Sequence, residues 1–219
     1  MKLPAIIVNF KLHENGVGEN ALKLAKIHER VAAETGASIG VAVNALDVLR
    51  VAAEVSIPVF AQHFDVVRYG SHTGHVSAEL LKKGGVYGSL LNHAEHPLAD
   101  NMLIASVHLA REVGLFTVVC ADTPMKGAEI AGCGPDLIAV EPPELIGGDI
   151  SVSKSQAHIV QKAVEMIGVG RTLVGAGIRD MEDVKLSLEF GASGVLLASG
   201  VTKAEDPYGV LMELVRGLG

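Results

Sequence analysis

The stretch TLVGAGIRDMEDVKLSLEFGASGVLLASG, residues 172–200, holds two short apolar runs, TLVGAG at 172–177 and GVLLAS at 194–199, with a helical pattern between them at 181–190. Their starts lie 22 residues apart. Parallel strands cannot be joined by a hairpin and need a crossover of about a dozen residues or more, which this spacing supplies. Working outward, six more such runs come earlier: AIIVNF (5–10), SIGVAV (38–43), PVFAQH (58–63), VYGSLLN (86–92), FTVVCA (116–121) and LIAVEP (137–142). Each is bounded by Gly, Pro or polar turns, as strands are. No two successive runs start fewer than 20 residues apart, so a helix fits every time. Residues 19–35 place Leu22, Ala25, Ile27 and Val31 near helical spacing, and 98–113 reads similarly. The segment 44–57 has room for only about three turns at ~3.6 residues each. Eight βα units without a break in composition predict one α/β domain over 1–219, a closed (β/α)8 barrel with shortened helices.

Composition narrows the function classes. Hydrophobic residues make up 49% of 219, yet no apolar run approaches a membrane span of ~18–20 residues. The start MKLPAIIVNFK has too short an apolar stretch for a secretory signal, and Lys11 closes it. A net charge of −7 with no Lys/Arg run argues against nucleic acid as a partner. Cys120 lies in an apolar run and Cys133 in a Gly-rich turn, with no CxxC pair, so a reducing, cytoplasmic setting is expected. Aromatics are only 4%, leaving a core of Val, Ile, Leu and Ala that suits buried parallel strands.

In such a barrel the chemistry sits at the C-terminal ends of the strands. Asn9 and Lys11 close the first run and, two apart, point to the same side. Alone, this pair also fits a solvated loop lysine. His93 follows the fourth run and precedes a helical pattern, where a helix dipole would disfavour the imidazolium and leave a neutral ring able to donate to an oxyanion. His93/His96 and His72/His75 have an HxxH spacing, but no third ligand stands at a motif distance, so no metal is expected. Glu141 ends the sixth run, where partial burial would raise its pKa toward that of a general base. Pro142 and Pro143 stiffen the chain after it and Gly147 and Gly148 loosen the tip, the build of a closing lid, although an ordinary turn with a solvated Glu has the same residues. Gly175, Gly177 and Gly200, after the last two runs, let backbone N–H groups approach an anion, and phosphate sites in barrels recur there.

Taken together, VNFK (8–11), AQHFD (61–65), GSHTGHVSAELL (70–81), LLNHAEH (90–96), AVEPPELIG (139–147), GAGI (175–178) and LLASGVT (196–202) run nearly the length of the chain. In order and at barrel intervals, they resemble the triosephosphate isomerase family, and in short length its archaeal branch. That family is itself a standard illustration of pKa tuning and loop closure on a TIM barrel, so the following roles are implied by the resemblance. Asn9 and Lys11 match a substrate-binding pair, His93 the neutral electrophile and Glu141 the base. Ile146 and Gly147 match the lid tip; Gly177, Ala198, Ser199 and Gly200 match the rest of the phosphate cradle. Glu95 matches an acidic neighbour of the catalytic His. The implied reaction is cofactor-free interconversion of dihydroxyacetone phosphate and D-glyceraldehyde 3-phosphate, in glycolysis and gluconeogenesis. The 64–81 segment resembles an arm inserted into a neighbouring subunit, which implies a homo-oligomer, a tetramer before a dimer. Departures occur at Ala94, where bacterial and eukaryotic members have Ser, at Glu144 for Trp, at Asp149 for Gly, and in GAG for GGS. The rivals are another phosphate-binding barrel enzyme, which the GAG…ASG ending also fits, and a non-catalytic sensor of a phosphorylated metabolite.

Overall fold

The computed structural model describes residues 1–141 and 157–219. Eight strands close in chain order into a barrel: β1 (Ala5–Asn9), β2 (Ser38–Val43), β3 (Val59–Ala61), β4 (Gly88–Leu91), β5 (Phe116–Ala121), β6 (Leu137–Val140), β7 (Thr172–Val174) and β8 (Gly194–Leu197). Every pairing is parallel, and the ring shuts where Ala5 meets Gly194 between β1 and β8. The described helices are α1 (Gly18–Thr35), α2 (Val48–Glu54), α3 (Ala78–Lys83), α4 (Asp100–Val113), α5 (Pro124–Ala131), α6 (Ala157–Ile167), α7 (Met181–Glu189), α8 (Ser199–Thr202) and α9 (Pro207–Arg216).

Strand alternation builds two apolar layers. Ile7, Phe60, Val118, Leu137, Leu173 and Leu196 fill the barrel interior. Their neighbours Ile6, Val8, Val119, Ile138, Val195 and Leu197 face outward and bury against the helices. Two helices start on a proline at their first turn behind a capping side chain: Thr123 accepts from Lys126 N–H before Pro124, and Asp206 from Gly209 N–H before Pro207. Helices α1 and α4 end on left-handed Gly36 (φ 75°) and Gly114 (φ 76°), conformations that carry a steric penalty for other residues.

Three sequence expectations shift. The inner stripe of α1 is Ala21, Leu24, Ala25, His28 and Val31, while Leu22 and Ile27 are only partly buried. A His entered the stripe because its ring is buried against Phe10, with ring centroids 5.3 Å apart. Helix α2 is shorter than the 44–57 segment allowed. Asn44 and Asp47 spend that chain on a turn, with Asn44 Nδ2 donating to Asp47 Oδ2 at 2.8 Å. The 172–177 run keeps only Thr172–Val174 as strand, because Gly177 at φ 74° turns the chain across the barrel mouth.

Candidate active site

The inward parity of the strands carries past their ends. Beyond interior Ile7, Phe60, Ala139, Leu173 and Leu196, the next residues of the same parity are Asn9, Gln62, Glu141, Gly175 and Ala198. Alternation thus delivers polar groups to the mouth of a dry barrel. Two departures from extended backbone complete the set. Lys11 has φ 50° and Asn92 φ 57°, the described non-glycine residues with positive φ. The bend at Asn92 brings His93 to the mouth against strand parity. Asn92 is held there by its own side chain, which donates to Cys120 O at 3.0 Å and accepts from Leu98 N–H at 2.9 Å.

Asn9, Lys11, His93 and Glu141 line one cavity of about 410 Å³ together with Gly177, Ala198, Ser199 and Gly200. Every sequence-predicted site residue within the described chain is therefore in one place. Across it, His93 Nε2 and Glu141 Oε1 stand 3.8 Å apart. Lys11 Nζ donates to Glu95 Oε1 at 2.8 Å, and Glu95 N–H donates to His93 Nδ1 at 3.1 Å. A neutral imidazole that accepts at Nδ1 carries its proton at Nε2, so the ring presents an N–H to the cavity.

Burial sets the acid and the base. Glu141 is 5% exposed, and desolvation lifts its carboxyl from 4.5 to about 7, against the opposing pull of Lys11 and of a hydrogen bond with Cys120. That places it near neutral pH, where a general base works best. His93 is pushed below the ordinary imidazole value by burial first and by the Lys11 charge second. The neutral ring was expected, but its cause differs: α4 begins only at Asp100, too far along the chain for its dipole to act at His93. Burial would raise Glu95, yet its hydrogen bond to Lys11 and that cation's charge hold it below the ordinary carboxylate value.

The sequence reading missed Gln62 and the place of Cys120 under Glu141, and it marked Gly175 only as an anion-site glycine. Gln62 stands one residue past β3, at the inward position after Phe60, and the same strand-end rule points to it. Gly175 leaves space for Glu141, since a Cβ there would crowd Glu141 and come 3.1 Å from Val140 O. Cys120 is buried beneath Glu141, and burial followed by that carboxylate's charge pushes its thiol pKa well up. Nothing in an apolar strand marks such a cysteine. Pro142, Pro143, Glu144, Ile146, Gly147, Gly148 and Asp149, with the lid reading built on them, lie outside the described residues. The HxxH pairs pack as rings: His96 stacks on His63 at 4.2 Å, and His72 meets His75 edge-on at 5.9 Å. Among the described residues no three His, Cys, Asp or Glu side chains converge as metal ligands.

The family model for triosephosphate isomerase matches residues 4–217. A triosephosphate isomerase of Archaeoglobus fulgidus is 47% identical over 98% of this chain and 98% of its own. One from Pyrobaculum calidifontis is 46% identical over 100% of this chain and 97% of its own. The crystal structure of triosephosphate isomerase from Bartonella henselae superposes with a TM-score of 0.72 over 98% of this chain and 97% of its own, at 19% identity, a likeness of fold. With full-length matches on both sides and the site residues gathered in one cavity, the chain belongs to the triosephosphate isomerase family.

Proposed function

We propose that the protein interconverts dihydroxyacetone phosphate and D-glyceraldehyde 3-phosphate, with Glu141 as the base, His93 as the neutral electrophile and Asn9 and Lys11 holding substrate. The observation that carries this reading is the pairing across the cavity: a buried carboxyl near neutral pKa faces an imidazole Nε2–H at 3.8 Å, with an ammonium close to both. Glu141 takes the proton α to the carbonyl. The electron pair moves onto the carbonyl oxygen, where His93 Nε2–H and Lys11 Nζ meet the developing charge of an enediol(ate). The hydroxyl proton passes from one oxygen of the enediol to the other by way of His93 Nε2, and the protonated Glu141 then returns its proton to the adjacent carbon, leaving the carbonyl where the hydroxyl had been. Hydrogen moves within one substrate molecule, so the step balances without a redox partner, and no cofactor enters it.

General base catalysis supplies roughly 10²- to 10⁴-fold, or about 3–5.5 kcal/mol, so most of the acceleration rests on fixed electrostatics in a dry site. The phosphate is read onto Gly177, Ala198, Ser199 and Gly200. Ser199 opens the short helix α8, whose first N–H groups have no intrahelical partner. Ile146 and Gly147 join that cradle on sequence resemblance alone. The 64–81 segment as an arm and a homo-oligomer with four chains before two rest on the same footing, whereas the single 1–219 domain rests on the unbroken succession of βα units and the cytoplasmic setting on the unpaired cysteines; sedimentation separates tetramer from dimer.

The decisive variant is Glu141→Gln. It should keep binding a triose phosphate analogue and lose turnover by several decades, the scale of the roughly 10²- to 10⁴-fold that general base catalysis supplies. Near-normal turnover in a coupled assay with glyceraldehyde 3-phosphate would sink the assignment.

A further inference from the structure

We infer that Gln62 is a positioning residue for Lys11, its carboxamide tying the lysine's left-handed main chain to the ends of β1 and β2. The inference rests on the reading of Lys11 as a substrate-binding and charge-stabilising group. Lys11 lies just past the end of β1 at φ 50°, a conformation that strains an ordinary L-residue and persists only where the surroundings impose it. Two groups do so here. Lys11 N–H donates to Asn9 Oδ1 at 3.0 Å. On the other side, Gln62 Nε2 lies 3.1 Å from Lys11 O, 3.1 Å from Asn9 Oδ1 and 3.3 Å from Ala42 O.

A carboxamide nitrogen has two hydrogens, and these three acceptors share them. Asn9 Oδ1 therefore receives one N–H from Lys11 and one from Gln62, which closes a ring running from Asn9 to Lys11 to Gln62 and back. Ala42 O, also the acceptor for Phe10 N–H at 2.9 Å, anchors that ring to β2. A lysine side chain is long and flexible, so its ammonium is only as well placed as the backbone it leaves. Among the described residues the backbone at Lys11 has no strand or helix partner beyond this ring. Removing the Gln62 donor takes an N–H from three oxygens: Asn9 Oδ1 keeps the one from Lys11 and Ala42 O the one from Phe10, whereas Lys11 O loses the bond that ties it to the ring, and the left-handed turn loses one of its two restraints. The Lys11 ammonium bears on both reacting groups, lowering the pKa of His93 and of Glu141. Its displacement must therefore show in the proton chemistry as well as in the rate.

The test is kcat/KM against pH for the full chain and for Gln62→Met, Lys11→Met and the double variant. Methionine matches the reach of glutamine without its donors. The expected loss for Gln62→Met is ~10- to 100-fold, the scale of a misplacement of about 1 Å. Its acid limb should move to higher pH, because Lys11 no longer favours the Glu141 carboxylate. The double variant should lose no more than Lys11→Met alone, the mark of two residues acting as one unit. A rate within about twofold of the parent, a loss that leaves the acid limb in place, or losses that multiply in the double variant would each overturn the inference. If Gln62→Met does not fold, Gln62→Asn keeps the donors one methylene short and should show a smaller loss with the same upward movement of the limb; a parent-like profile there overturns it equally. A parent-like Lys11→Met fails differently, by removing Lys11 from the site altogether.

Discussion

Gly175→Ala should cost turnover by moving the Glu141 carboxylate, the proposed base, and nothing else. Gly175 begins the turn after β7, and its N–H donates to Val140 O at 2.8 Å, extending the β6–β7 pairing by one bond. It is not among the positive-φ glycines, so alanine meets no backbone penalty there. The new Cβ would lie 3.1 Å from Val140 O and 3.2 Å from Glu141 Oε1, and closer still to Glu141 Cγ. Non-bonded carbons settle at ~3.5–4.0 Å, so something must retreat by about 1 Å. Val140 O is held in the sheet, whereas the Glu141 side chain borders the open cavity, and the side chain gives way. A misplacement of that size costs about 10²-fold, or roughly 2.7 kcal/mol of barrier. The assay is kcat and KM with glyceraldehyde 3-phosphate, with thermal midpoints in parallel. The expected result is kcat down ~100-fold with a KM and a midpoint near the parent's. A kcat within about threefold of the parent would refute the reasoning, and a lowered midpoint beside it would show that the sheet moved instead.

Two further outcomes follow from burial. Because Glu141 must be a carboxylate to act and its pKa is about 7, kcat/KM of the parent should fall about tenfold per pH unit below neutrality; a profile flat to pH 5 would contradict the buried base. His28 is fully buried, donates a ring N–H to Leu24 O across 2.7 Å, and has its other nitrogen unpartnered among the described residues, so burial lowers its pKa from 6.5 to about 4. The unfolded chain then binds the proton more readily than the folded one, so stability is full above pH 6.5 and is lost as pH falls toward 4, by about 3 kcal/mol from this residue. In urea unfolding, His28→Leu should flatten that acid slope, and parallel slopes for parent and variant would remove His28 as its source.

The barrel was legible because its evidence is periodic. Eight apolar runs at crossover spacing leave little choice of topology, and each strand falls inside its run. Run ends were less legible, since Gly175 and Gly177 read as strand continuation until φ 74° at Gly177 shows the turn. The site residues that stand at strand ends were readable for the same periodic reason: Asn9 and Glu141 are the next inward positions in their strands. His93 was singled out only as a histidine following the fourth run, because it owes its place at the mouth to Asn92 at φ 57°, and a single left-handed asparagine has no pattern. Gln62 stands at the next inward position after Phe60 and was open to the same rule, whereas the space that Gly175 leaves for Glu141 is a contact across the barrel that leaves no mark in local sequence. The α1 stripe misled for a related reason: His28 counts as apolar only once its burial against Phe10 is known.

The electrostatics of the site turn on one cation serving two opposite needs. Isomerisation wants an uncharged imidazole that donates and a charged carboxylate that accepts. Desolvation alone satisfies only the first, since it disfavours every charge: it keeps His93 neutral but also protonates Glu141. Lifting Glu141 from 4.5 to about 7 already costs about 3 kcal/mol for its ionised form. Lys11 acts in the same direction as burial on His93 and against it on Glu141, so a single ammonium drives the donor further toward neutral and draws the base back toward its anion. Glu95 resists both, favouring a charged His93 and a protonated Glu141, but its hydrogen bond to Lys11 at 2.8 Å spends that carboxylate on orienting the cation. Burial makes the larger shift in each, and the placement of Lys11 adjusts the protonation of both partners at once. A left-handed lysine held by Asn9 and Gln62 is then not an oddity of the first βα turn; it is what allows a dry cavity to hold a neutral acid and an ionisable base 3.8 Å apart.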